Sequence, residues 1–105
     1  MIDEHALGSA LLGLGSTVAE VAITLQSRRI QGVRNTVRFF NPIIRAVQRE
    51  VQVDFSTLDL IQPDKLRMTL PNGTAEVCLP PAVKEFLDAF NRGEHPELEL
   101  PPDQG

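Results

Sequence analysis

The stretch IQGVRNTVRFFNPIIRAVQREV, residues 30–51, decides how this chain is read. Ile30, Val33, Val37, Phe40, Ile44, Val47 and Val51 recur at alternating steps of three and four. That spacing predicts a helix with one apolar stripe turned toward a core. Arg34, Arg38, Arg45 and Arg49 follow at steps of four, seven and four, so on such a helix they share the outward face. Asn41-Pro42 interrupts the pattern. Proline removes an amide donor and crowds the preceding turn, whereas Asn before Pro makes a good cap and first helical residue. Because the stripe runs on from Phe40 to Ile44, the expectation is a kinked central helix, or two abutting helices sharing one face. Ile30, Val37, Phe40, Ile44 and Val47 would form its core seam.

Upstream lies a second stripe of the same period: Leu7, Leu11, Leu14, Val18, Val21 and Leu25. Gly8, Gly15 and Ala22 stand seven apart beside it, small enough to let another backbone approach. Thr17 and Glu20 have capping-box spacing just after Gly13 and Gly15, which splits the region into helices near 3–13 and 17–31. The step of five from Leu25 to Ile30 shifts the phase, and Gly32 suits a helix stop. A turn near 27–33 and an antiparallel helix pair follow. Residues 6–25 are long enough for a membrane span, but they carry Glu20, three Gly, two Ser and two Thr. A central acid costs roughly 2.5–3.5 kcal/mol on insertion scales. No membrane span is expected.

Downstream, the period changes from helical to alternating. Leu66, Met68 and Leu70 alternate with Arg67 and Thr69; Ala75, Val77 and Leu79 alternate with Glu76 and Cys78. Pro71-Asn72-Gly73 between them predicts a hairpin with a three-residue loop. A lone hairpin is marginal, so a third strand near 57–61 is expected beside it. Pro81 opens a closing helix whose stripe is Val83, Phe86, Leu87 and Phe90, and Gly93 ends it. The fold class expected is therefore α+β: N-terminal helices, a kinked central helix, a small antiparallel hairpin or three strands, and a C-terminal helix. Residues 1–93 read as one compact domain and residues 94–105, acidic and proline-rich, as a tail or linker.

Charge is unevenly placed. Residues 28–49 carry six Arg and no acid, within a chain of net charge −4. Catalytic and metal chemistry find little footing. His5 and His95 lie near opposite ends, the single Cys78 has no partner for a disulfide, and GLGST lacks the lysine of a phosphate loop. The chain reads as no enzyme and as requiring no cofactor. What remains is a cytoplasmic, non-catalytic protein–protein interaction or adaptor module, self-standing or the N-terminal domain of a longer protein. Arg34, Arg38, Arg45 and Arg49 would dock an acidic protein segment, since arginine binds carboxylates in bidentate geometry. The two heptad-like stripes also suggest a homodimer. The alternative is a small nucleic-acid-binding regulator that uses the same arginines on phosphates, although no recognisable helix-turn-helix recognition pattern accompanies them.

Overall fold

The computed structural model describes residues 4–36, 40–52, 57–62, 64–71 and 73–99. Its helices are α1 (Glu4–Leu12), α2 (Val18–Ser27), α3 (Pro42–Val51) and α4 (Pro81–Asn91), and a 3₁₀ turn spans Pro96–Leu98. Strands β1 (Leu58–Gln62), β2 (Lys65–Leu70) and β3 (Gly73–Cys78) form one antiparallel sheet in the order β1-β2-β3. This is the α+β class read from the sequence, with the third strand present. Leu70 pairs with Gly73, so Gly73 belongs to β3 and not to a three-residue loop.

The N-terminal region does divide in two. Gly15, at φ +142°, lets the chain turn against α2, where an added Cβ would lie 2.6 Å from the Cβ of Glu20. Thr17 Oγ1 then accepts the Glu20 amide at 3.1 Å, and the Glu20 carboxylate reaches back to the Ser16 amide and hydroxyl at 2.8 and 3.0 Å. The capping box therefore closes on Ser16, one residue before the cap. Those two hydrogen bonds hold the Glu20 carboxyl below its ordinary pKa.

The central helix is where sequence and structure part. No helix covers residues 30–36, and α3 starts at Pro42 rather than bending there. Local bonds take the backbone groups that a helix would have used. The Gly32 amide donates to Leu98 O at 2.9 Å and Val33 to Phe40 O at 2.7 Å. Left-handed Asn35 donates its amide to Asn91 Oδ1 at 2.9 Å. Asn41, only 2% exposed, completes the switch: its Oδ1 accepts from Ile43 and Ile44, and its Nδ2 donates to Thr36 O at 2.8 Å. Of the expected seam, Ile30, Ile44 and Val47 are buried, but Phe40 is 45% exposed, and Val37 lies outside the described residues.

The helix stop also moves. Arg28 caps α2, Arg29 is left-handed at φ +57°, its amide bonds Gln26 O, and the Ile30 amide bonds Leu25 O. That is a Schellman motif, with buried Ile30 placed to pack against Leu25. Gly32 serves a different purpose: a Cβ there would stand 2.4 Å from Phe40 O and 2.7 Å from Pro42 Cδ.

Leu58, Leu66, Met68 and Ala75 form the buried face of the sheet. Helix α1 packs on β3 and α3, α3 packs on β1, and α2 pairs with α4. Leu7, Leu11, Leu14, Val21 and Leu25 all turn into this core, where the Phe86 and Phe90 rings stack at 5.9 Å. The stripe that suggested a dimer seam is thus consumed within one chain. At Gly8 an added Cβ would meet nothing within 4 Å, so its small size serves no close packing here. On the opposite sheet face Arg67 makes a two-point bond to Asp59, at 3.2 and 2.9 Å, with Glu76 next to it in register.

Candidate interaction surface

Among the described residues, Arg34, Arg45 and Arg49 do not share one helix face. Arg34 sits on the irregular stretch after α2, whereas Arg45 and Arg49 lie one turn apart on α3; Arg38 falls outside the described residues. Arg34 Nε is 3.0 Å from Glu99 Oε1, and its Nη1 lies where a Cβ on Gly93 would meet it at 2.9 Å. A cation at the C-terminal end of α4 also complements the helix dipole. Arg49 donates to the carbonyl of Arg28, the cap of α2, and Arg28 is 3.9 Å from Glu50. Arg45 is partly buried. Arg49 thus ties the end of α3 to the end of α2, and Arg34 ties the stretch after α2 to the residues beyond α4.

What the structure does bring together is a corner built around the end of α2. Gln26, Arg29, Ile30 and Gln31 form one wall of an open cleft of about 310 Å³, and Glu97 and Leu98 form the other. Ile30 and Leu98 are each 1% exposed and give it an apolar floor, while Arg29 is exposed at its rim. Among the described residues, Arg29 makes no ion pair. On the α2 side, Ile30 and Arg29 offer an apolar surface and a cation to an extended segment that carries an apolar side chain and a carboxylate.

The far wall comes from residues expected to trail free. Residues 94–99 instead return to the body. Leu98 is buried, its carbonyl accepts from Gly32, and Glu99 bridges to Gly32 in parallel sense. His95 lies against Phe86, ring centroids 5.0 Å apart, with its Nδ1 3.4 Å from Glu97 Oε1. Arg92 bonds the Glu94 carboxylate and holds its pKa low. Arg29, Gln31, Glu97 and Leu98 are the surface residues missed in the sequence. One signal was present: Glu97-Leu98-Glu99 alternates acid, leucine and acid, an apolar anchor with charged flanks.

A second groove of about 240 Å³ lies between the end of α1 and the start of α4, lined by Leu12, Gly15, Ser16, Pro80, Pro81 and Ala82. Leu12 is 68% exposed beside it. Among the described residues no three His, Cys, Asp or Glu are grouped to hold a metal, and no helix is long and apolar enough to cross a membrane. No family model, curated protein or solved structure matches the chain.

Proposed function

We propose that this protein is a non-catalytic interaction module that docks an acidic segment of a protein partner at the corner formed by the end of α2. The observation that carries the reading is Arg29. At the end of α4 the same left-handed Schellman position is filled by Gly93, at φ +84°, the residue for which that conformation is cheapest. At the end of α2 an arginine occupies it, at the rim of the cleft and without an ion pair among the described residues. A non-glycine residue held in a costly conformation is a pointer to function, not to stability. The separation of Arg34 from Arg45 and Arg49, which share α3, supports a compact carboxylate-bearing partner over a phosphate backbone, which would call for a continuous basic stripe.

The test is capture of binding proteins from the source cell by the folded chain, compared with Arg29→Glu. Loss of the bound partner, with the circular dichroism spectrum unchanged, is the expected result. Capture should also fall only modestly between low and moderate salt, whereas a phosphate contact would weaken steeply and log-linearly. Undiminished capture by Arg29→Glu would remove the corner from the account.

A further inference from the structure

We propose that residues 94–99 are a resident competitor: they occupy, within the chain, the groove into which a partner's acid–leucine–acid segment docks. This deepens the interaction reading above and rests on it. That groove is the place Glu97-Leu98-Glu99 takes against Gly32, Arg34 and the end of α2, where three separate contacts hold it. Leu98 is 1% exposed and joins the core cluster. Its carbonyl accepts from the Gly32 amide at 2.9 Å, in the single parallel bridge Gly32↔Glu99. The Glu99 carboxylate reaches Arg34 Nε at 3.0 Å. One apolar anchor, one main-chain pairing and one charge pair are the elements by which extended peptides are recognised on sheet edges and grooves.

The attachment is local. The helix ahead of the segment ends at Gly93, whose left-handed conformation makes a sharp turn out of α4. The other contacts of 94–99 are to α4 or within the segment: Glu94 to Ala89 O at 3.0 Å and to Arg92, the His95 ring against Phe86, Leu98 to His95 O at 3.0 Å and Glu99 to Pro96 O at 3.1 Å. The Glu97 carboxylate lies on the cleft that holds Arg29 at its rim. A partner segment with the same acid–leucine–acid order would meet the same socket, the same Gly32 amide and Arg34, with its first carboxylate on the cleft that holds Arg29. Charge selects the occupant: the floor is apolar, and Arg29 and Arg34 flank it. A tethered segment acts at an effective concentration in the millimolar range. It therefore lowers the affinity of the groove for anything arriving from solution, by the fraction of time it stays docked.

The probe is a fluorescein-labelled peptide of residues 94–100, EHPELEL, with binding read by anisotropy against full-length chains. Two variants free the groove: Glu99→Lys, which reverses one charge and leaves the core intact, and Leu98→Ser with Glu99→Lys, which also removes the anchor. Both are checked for fold by circular dichroism. The released chains should bind the peptide at least ten-fold more tightly than the parent. Arg34→Glu added to Leu98→Ser with Glu99→Gln, which leaves no charge at position 99 to re-form the pair, should lose that binding, and the peptide EHPELKL should restore it by exchanging the charges. Equal isotherms for parent and Glu99→Lys, or no binding by either folded variant, would overturn the proposal. So would light scattering showing a dimer that the released variants lose, because the occupant would then be the segment of a second copy. If the peptide fails while Arg29-dependent partner capture persists, the interaction reading stands and only the resident competitor falls.

Discussion

At the scale of single residues, the backbone decides more than the side-chain pattern does. Arg29 in its left-handed position costs about 1–2 kcal/mol that glycine would not pay. Glycine recovers only part of this, because it loses about 0.5–1 kcal/mol of chain entropy on folding. Arg29→Gly should therefore raise stability by about 0.5 kcal/mol in a denaturant melt while partner capture is lost, a stability–function split that a merely structural arginine would not give. Gly32 is the opposite case. A Cβ there meets the Phe40 carbonyl and the Pro42 ring, neither of which can swing aside, so Gly32→Ala should cost about 1–3 kcal/mol. Glu20 gives a pH signature. Its pKa is lowered in the folded chain by the Ser16 amide and hydroxyl, so its stabilising effect is complete above the unfolded value near ~4.3. That contribution is lost as pH falls through the lower folded value. Thermal melts between pH 6 and pH 3 should show Glu20→Gln losing less stability on acidification than the parent, and parallel curves would show the capping contact to be idle.

At the scale of elements, legibility followed turn chemistry. The hairpin could be read because alternation and Pro-Asn-Gly agreed, and α4 because Pro81 and Gly93 bracketed one stripe. The stretch 30–41 was misread for a physical reason. Ile30 is apolar because it completes the Schellman contact with Leu25, and Phe40 because it precedes a loop closure. Their spacing to Ile44 imitated a helix that the loop's own hydrogen bonds exclude. Asn41-Pro42 was the true signal, a start rather than a kink. Three substitutions separate the two descriptions. Phe40→Ala should cost less than about 1 kcal/mol and Phe86→Ala about 3–5 kcal/mol, since only Phe86 is fully buried. Asn41→Ala should cost about 2 kcal/mol, because it uncaps α3 and leaves the Ile43 and Ile44 amides buried without an acceptor. A large loss at Phe40 with little at Asn41 would restore the continuous helix. The arginine face failed with that helix, and the corner that replaced it was illegible because Arg29 and Glu97 meet only after residues 94–99 fold back.

At the scale of the whole molecule, the parts are held with unequal strength, and the partner surface is drawn from the weaker end. The sheet, α1, α3 and α4 share one continuous buried cluster, so amides within them open only when most of the chain unfolds. Beyond the His95–Phe86 ring contact and the Glu94 bonds at the end of α4, residues 97–99 are held by Leu98, one amide and one partly exposed ion pair. Two opening reactions should therefore coexist in the native state, and two amides report them. The Gly32 amide bonds to Leu98 O and is freed whenever the segment lifts. The Leu87 amide lies inside α4, where only wider unfolding reaches it. Native-state hydrogen exchange should give Gly32 an opening free energy well below that of Leu87. Raising salt should accelerate Gly32 exchange, because the Arg34–Glu99 pair is about half-exposed on its arginine side and is screened, while Leu87 stays nearly constant. Glu99→Lys should move Gly32 further in the same direction and reverse the salt effect, because the ammonium it brings repels Arg34 and salt screens that repulsion. If Gly32 and Leu87 exchange with one common free energy that neither salt nor Glu99→Lys separates, the segment opens only with global unfolding. A groove that empties only when the domain is lost could not receive a partner, and residues 94–99 would then be an ordinary part of the core.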